Sequence, residues 1–195
     1  MRQYYEARAR EYDDWYLGRG RFAERQRPGW ERELAHLGVA LASLRPARTL
    51  DVACGTGFLT RHLPGRVTAL DQSRGMIALA RERVPCSALV QGDALALPFA
   101  NGAFERVFAG HFFGHLEGHD RERFLMEARR VAPELVVCDA ARRPDHAPVE
   151  TQERILNDGS RWRVFKRFFA PEELVAELGG SAVLLAGQWF VLVRG

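Results

Sequence analysis

The stretch Thr49-Leu50-Asp51-Val52-Ala53-Cys54-Gly55-Thr56-Gly57-Phe58-Leu59-Thr60 decides the fold. It reads as a short apolar strand, a tight glycine turn and the start of a helix. Gly55 and Gly57 bracket Thr56, so the backbone can turn sharply and a ligand can approach it closely. In an open α/β sheet this is where a nucleotide-like molecule binds.

The residues around the turn say which molecule. A pyrophosphate site calls for G-x-G-x-x-G with no acid beside it. Here Ala53 stands two positions before Gly55, Thr60 stands where the last glycine would fall, and Asp51 lies in the strand just before the turn. A carboxylate there repels phosphate and attracts an ammonium or a sulfonium. S-adenosylmethionine (SAM) carries both cations and no phosphate. Its own carboxylate can face the N–H groups at the following helix N-terminus. The turn therefore points to SAM over NAD.

Two further acids follow. Val67-Thr68-Ala69-Leu70-Asp71 is a second strand ending in an acid, 20 residues after Asp51. An acid there suits the two ribose hydroxyls. Ala88 to Ala94 is a third strand that ends at Asp93, placed to accept from the adenine amine. One such Asp alone is more simply a helix cap or a turn residue. Three, each at the carboxyl end of a successive strand, converge on one crevice.

Asp51-Val52-Ala53-Cys54-Gly55-Thr56-Gly57, Ala69-Leu70-Asp71-Gln72-Ser73 and the run from Gln91 to Phe108 together resemble the class I SAM-dependent methyltransferases. The Pro98-Phe99 pair and Phe104-Glu105-Arg106-Val107 are similar to the type 11 group, which includes ubiquinone and menaquinone C-methyltransferases. The resemblance covers residues 49–140 well and the ends more loosely. It implies a cofactor set of Tyr12; Asp51, Ala53, Cys54, Gly55, Thr56 and Gly57; Asp71, Gln72 and Met76; Gly92, Asp93, Ala94 and Leu95; and Ala109 and Gly110. It says little about the acceptor. Tyr12-Asp13-Asp14-Trp15-Tyr16 resembles a stretch that covers the cofactor in this group.

At 195 residues the chain is long enough for one domain with a substantial core. The expected layout is an N-terminal helical lid region (1–45), a SAM-binding core (49–140), and a substrate-side segment with a terminal hairpin (142–195). The net charge is only +3, and of the 28 Lys and Arg residues Lys166 alone is a lysine. The arginines are scattered among acids, so nucleic acid is disfavoured as a partner. Cys54, Cys86 and Cys138 form an odd set without metal spacing, which suggests reduced, cytoplasmic thiols and no metal. No apolar run approaches the ~20 residues of a membrane span. No secretion signal is seen. Monomer and homodimer both stay open.

The rest of the chain supplies the layers. Residues 3–17 read as one amphipathic helix carrying Tyr4, Tyr5, Tyr12, Trp15 and Tyr16, either as a lid or as permanent core. Gly18 to Gly29 reads as a hinge. Pro28 opens a helix with Trp30, Leu34, Leu37, Leu41 and Leu44 on one stripe. A short helix is expected between the glycine turn and Leu63, and Ser73 caps the helix that holds Met76. The fourth strand begins at Arg106, a helix starts at Asp120, and the fifth strand is Leu135 to Cys138. Residues 142–159 read as a polar loop and Trp162 to Phe169 as an extended edge segment. Pro171 opens a last helix, and a hairpin around Gly187-Gln188 closes the chain. These elements assemble into a Rossmann-like α/β fold: a seven-stranded, mostly parallel sheet with helices on both faces and an antiparallel last strand.

The methyl group should point past the fourth strand. His111 and His115 there are the candidate bases. For each, a packed or surface histidine is the competing reading. Tyr5, Tyr16, His111, Phe112 and Arg163 are the candidate acceptor contacts. The sequence lacks an Asp/Asn-Pro-Pro-Tyr/Phe run after that strand and places Cys86 far from it, which disfavours nucleic-acid base methylases. The expectation is transfer of a SAM methyl group to a small molecule, with S-adenosylhomocysteine (SAH) as product. A non-catalytic SAM-binding regulator and an RNA methyltransferase are the alternatives, and a nicotinamide oxidoreductase is already weakened by Asp51 and Thr60.

Overall fold

A computed structural model describes residues 2–144, 147–180 and 182–195. Its centre is a seven-stranded sheet in the order β3-β2-β1-β4-β5-β9-β8. The strands are β1 (Ala47–Val52), β2 (Gly65–Asp71), β3 (Ala88–Gln91), β4 (Arg106–Gly110), β5 (Glu134–Ala140), β8 (Ala182–Ala186) and β9 (Phe190–Arg194). The first five are parallel, and β9 runs antiparallel to both β5 and β8.

Alternation along the strands sorts the core into two layers. Leu50, Val52, Val107, Ala109, Val137, Val191 and Val193 face one way, against α5 (Gly118–Val131) and α6 (Pro171–Leu178). Phe108, Val136, Cys138, Phe190 and Leu192 face the other way, against α3 (Trp30–Ala42) through Trp30, Leu37 and Leu41. Helix α4 (Arg74–Arg83) buries Met76, Ile77 and Ala80. Ser73 caps it by accepting from Met76 N.

Four local expectations are corrected. The N-terminal segment is not one helix: α1 (Arg2–Arg8), a 3₁₀ turn (Ala9–Glu11) and α2 (Asp14–Leu17) follow one another, and left-handed Gly18 ends the last. The helix expected after the glycine turn is a 3₁₀ turn, Thr60–His62, because Pro64 and Gly65 leave it no room. Strand β3 stops at Gln91, so Asp93 lies on the turn beyond it. Part of the segment read as a loop is strand β6 (Val149–Ile155), which pairs over seven residues with β7 (Arg161–Arg167).

That β6–β7 hairpin forms a separate two-stranded sheet. Two strands alone are marginal in water. Here Leu156, Val164 and Trp162 pack on Tyr4 and Tyr5 of α1. The hairpin and the N-terminal segment thus support each other. Among the described residues no helix is long and apolar enough to cross a membrane.

Candidate active site

The sheet order reverses between β1 and β4, and a crevice opens beyond their carboxyl ends. Both strands leave the sheet through a strained residue. Ala53 after β1 has φ 56° and His111 after β4 has φ 53°, the two non-glycine residues with left-handed backbone among those described. Such conformations cost about 1–2 kcal/mol and gather where a site needs them.

A cavity of about 250 Å³ occupies the crevice. Its floor comes from the first three turns. Ala53 and Gly55 line it from the first, Asp71, Gln72 and Met76 from the second, and Gly92, Asp93, Ala94 and Leu95 from the third. Gly110, His111, Phe112 and His115 line it beyond β4, and Tyr5 and Tyr12 come from the N-terminal segment. Leu70, Leu116 and Asp120, outside the predicted set, complete the wall. A smaller void of about 10 Å³ shares Tyr12, Ala53 and Gly110 with it and reaches Asp51, Cys54 and Tyr16.

The remaining predicted residues sit elsewhere. Thr56 donates to Asp13 Oδ1 at 2.6 Å and accepts from Arg83 Nη1 at 2.7 Å, tying the turn to its neighbours. Gly57 lets α4 pack close: a Cβ there would lie 3.3 Å from Val84 and 3.5 Å from Ala80. Ala109 is buried within β4. Arg163 is exposed on β7, opposite Glu153, and lines neither cavity.

The acids are held ready by backbone. Asp71 accepts from Gly55 N at 3.0 Å and from Ser73 N at 2.8 Å, and Asp93 accepts from Leu95 N at 2.9 Å. Asp51 is 2% exposed. Thr60 Oγ1 donates to its Oδ2 at 2.6 Å, which explains a threonine where a dinucleotide fold has glycine. Its Oδ1 is buried without a partner. Burial, and next the nearby Asp71, push its pKa up to about 7 despite the Thr60 bond. A buried carboxylate oxygen lacking a donor is a place for a cation.

SAM fits these residues. The orphaned Asp51 oxygen suits its ammonium, and Asp71 suits the ribose hydroxyls. Gly55, with φ 57°, sits in the left-handed region that favours glycine, and its bare Cα faces the Tyr12 ring. When bound, SAM supplies an electrophilic methyl group.

The acceptor end has a second charged group that the sequence reading missed. Asp139, buried in β5, accepts from Lys166 Nζ at 2.5 Å and from Gly114 N at 2.7 Å. His111 Nδ1 lies 3.9 Å from the same Asp139 oxygen. Burial is the largest single influence on Asp139 and works to raise its pKa. The charge and hydrogen bond of Lys166 together with His111 and His115 outweigh it and bring the pKa to about 2. His111 is driven down to about 4, first by burial, with Lys166 and Arg154 adding to it against the pull of Asp139. Its Nε2 is buried with no hydrogen-bond partner. His115 is likewise held well below the usual histidine range, by burial first. Its Nδ1 lies 2.7 Å from the Phe165 carbonyl oxygen, so that nitrogen carries the proton and Nε2 keeps the lone pair. Two signals were available: Lys166 is the chain's single lysine, and Asp139 follows the apolar run Leu135 to Cys138 within β5.

The N-terminal segment is latched down at two points. Glu6 accepts from Ser73 Oγ at 2.7 Å and from Gly75 N at 3.0 Å, at the start of α4. Asp13 pairs with Arg83 at 2.5 Å and with Thr56. Just past the second latch Tyr16 stacks on Phe58 at 4.0 Å, and Trp15 meets His111 edge-on at 4.9 Å.

The chain is similar to known methyltransferases. The type 11 family profile described as "Methyltransferase domain" matches residues 50–134. The demethylmenaquinone methyltransferase of Thermotoga maritima is 33% identical over 107 residues, 52% of this chain and 44% of that protein. That of Thermobifida fusca is 36% identical over 123 residues, 57% of this chain and 50% of that protein. The chain thus aligns with half or less of the length of these curated relatives. Among solved structures, the DhpI–SAH complex is 31% identical, with a TM-score of 0.73 over 98% of this chain and 92% of that one. The DhpI–SAM–HEP complex is 28% identical, with a TM-score of 0.75 over 98% and 94%. Near-complete mutual coverage, 31% identity and a TM-score of 0.73 to the SAH complex, with a match to the type 11 profile, lead to one conclusion: the chain belongs to the class I SAM-dependent methyltransferases, in the type 11 group.

Proposed function

We propose that this chain transfers the methyl group of SAM to a nucleophilic atom of a small molecule. One observation carries the reading: a single cavity runs from Asp71 and Asp93 at the cofactor floor to His111 and His115 beyond β4. The floor residues hold the cofactor, with Asp51 on its ammonium and Asp71 on its ribose. Tyr5, Tyr12, Trp15 and Tyr16 exclude water above it. Aromatic faces beside a sulfonium also attract it through their quadrupoles.

The chain's chemical work is alignment and desolvation. Where the acceptor carries a proton, neutral His111 takes it on Nε2. Its depressed pKa keeps that nitrogen free at neutral pH. The family profile spans residues 50–134, which hold the cofactor floor and His111, Phe112 and His115. The choice of acceptor falls to those three, to the N-terminal lid region, residues 1–45, and to the segment after residue 142. The acceptor is a small molecule, and the three free thiols fit a reducing, cytoplasmic setting.

The test is SAH formation from SAM against a panel of carboxylic acids, phenols, amines and quinols. Turnover with at least one class, lost in His111→Ala while SAM still binds, is the expected result. SAM binding with no turnover in any class would favour a regulatory module instead.

A further inference from the structure

The wall between α1 and the β6–β7 hairpin holds an unusual concentration of positive charge. Arg8 is buried, with 7% of its surface exposed. Its Nη1 donates to Tyr4 Oη at 2.8 Å, and its guanidinium lies over the Tyr12 ring at 4.9 Å. From the other side, Arg154 Nη1 donates to the same Tyr4 Oη at 3.3 Å. Its other bonds go to Gln152 Oε1, at 3.2 and 2.9 Å. Arg25 completes the group on the more exposed side.

None of the three makes an ion pair among the described residues, whereas ten other contacts between cationic and acidic side chains do appear there. Their visible acceptors are a phenol and an amide, both neutral. Burying a guanidinium without a counter-ion is costly. Exposed Arg25 registers the neighbouring charge: its pKa is lowered by burial first, then by Arg154 and Arg8, whereas at Arg8 burial works to lower the pKa and the surrounding tyrosines hold it up. Of the tyrosines these arginines flank, Tyr12 lines the cavity and Tyr4 is buried directly behind Tyr5, which also lines it. Tyr5 packs on Tyr4 at 4.9 Å between ring centroids and meets His115 edge-on at 6.3 Å.

We infer that the methyl acceptor carries an oxyanion, a carboxylate or a phosphoryl-type group, and that Arg8 and Arg154 bind it across Tyr4 with Arg25 at the rim. Guanidinium forks pair with such groups through two parallel hydrogen bonds. The anion end is held against the hairpin, which leaves the rest of the acceptor to reach past Tyr5 toward His115 and His111. The proposal rests on the methyltransferase reading for the acceptor's role, but the anion site itself is readable apart from it.

The experiment is calorimetric titration of inorganic phosphate and of acetate into the protein, first free and then saturated with SAH. Wild-type protein should bind at least one anion. Arg154→Gln, on the hairpin rather than in the buried α1 wall, should weaken that binding about 10- to 100-fold while SAH affinity stays unchanged. Tighter phosphate assigns a phosphoryl-type acceptor, and tighter acetate assigns a carboxylate. If neither anion binds the free or the SAH-loaded protein, or if Arg154→Gln binds as wild type does, the inference is overturned. Anion binding that is lost in Arg154→Gln, in a protein that ignores SAH, would support the anion site and count against the cofactor reading alone.

Discussion

The cofactor floor and the acceptor cover hold their polar groups in different ways. On the floor, Asp71 and Asp93 are fixed by backbone N–H groups two residues further along the chain, at Ser73 and Leu95. Such bonds form with the turn itself, and the bond from Gly55 N to Asp71 joins two adjacent turns of the same floor. In the cover, side chains meet across the sequence: Glu6 with Ser73, Asp13 with Arg83, Tyr4 with Arg154, and Glu11 Oε2 with Asn157 N at 2.8 Å. The floor is therefore preorganised whether or not a ligand is present, and the cover exists only while its pieces are docked. A site divided this way can keep one cofactor and change its acceptor by altering the cover alone.

The largest effect expected within the cover is on chemistry. His111→Ala should lower turnover roughly 10²–10⁴-fold, with SAM affinity preserved, for any acceptor that must lose a proton. Single-turnover kinetics alongside SAM calorimetry would measure both. Unchanged turnover at every pH would leave alignment as the sole mechanism and remove the histidine from the division.

The floor should answer in binding. Asp51→Asn and Asp71→Asn should each weaken SAM by about 1.5–3 kcal/mol, the range for a hydrogen bond to a charged group. Asp51 also makes binding pH-dependent. Its carboxyl titrates near 7 in the free protein, so below that pH a proton must leave before the ammonium can pair. SAM affinity should fall as pH drops from 7 to 5, and calorimetry in buffers of different ionisation enthalpy should detect the released proton. Wild-type affinity that is flat across this range would remove Asp51 from the ammonium site.

Stability against pH separates the two regions by sign. Asp51 has a raised pKa, so its contribution to stability is present at low pH and is lost as pH rises from about 4 to 7. His111 has a depressed pKa, so its contribution is present above about 6.5 and is lost as pH falls toward 4. In wild type the two oppose each other. Asp51→Asn should raise the free protein's stability at pH 8 by about 1–2 kcal/mol, on the scale of one pKa unit per 1.36 kcal/mol. It should also steepen the loss of stability below pH 6.5. Parallel melting curves against pH for variant and wild type would contradict both assignments.

The smallest effect should come from the latches. Glu6→Gln and Asp13→Asn should each cost about 0.5–1.5 kcal/mol. The loss should appear as faster hydrogen exchange in residues 2–17 with no change in β1 or β4. Adding SAH should restore protection if the segment closes over the cofactor. High, ligand-independent protection would mean that it is permanent core.

The sequence was more informative about the floor than about the cover, for the same physical reason. Strand, glycine turn and capped helix are local signals, and Asp51, Asp71 and Asp93 could be placed from them. The expected short helix after Gly57 was too long because Pro64 and Gly65 cut it to a turn. The β6 strand was hidden by its composition. Val149–Ile155 carries Glu150, Glu153 and Arg154 and has no apolar face of its own. It becomes a strand because β7 pairs with it and Tyr4 packs against the hairpin beside it. Asn157-Asp158-Gly159 was the overlooked turn signal. Arg154, Asp139 and Lys166 were missed because each matters through a partner far away in sequence.

The contact between Tyr4 and Arg154 spans 150 positions, and that between Glu11 and Asn157 spans 146. Contacts of such separation form late, since the chain between them must be ordered before they are rewarded. The parallel strands from β1 to β5 can assemble while the cover is still open. The molecule should pass through a stage in which the cofactor floor is complete and the acceptor wall is not. In a growing chain the aromatic segment, made early, stays unhoused until the hairpin emerges. During that interval Tyr4 and Tyr5 are exposed apolar surface that a chaperone would recognise.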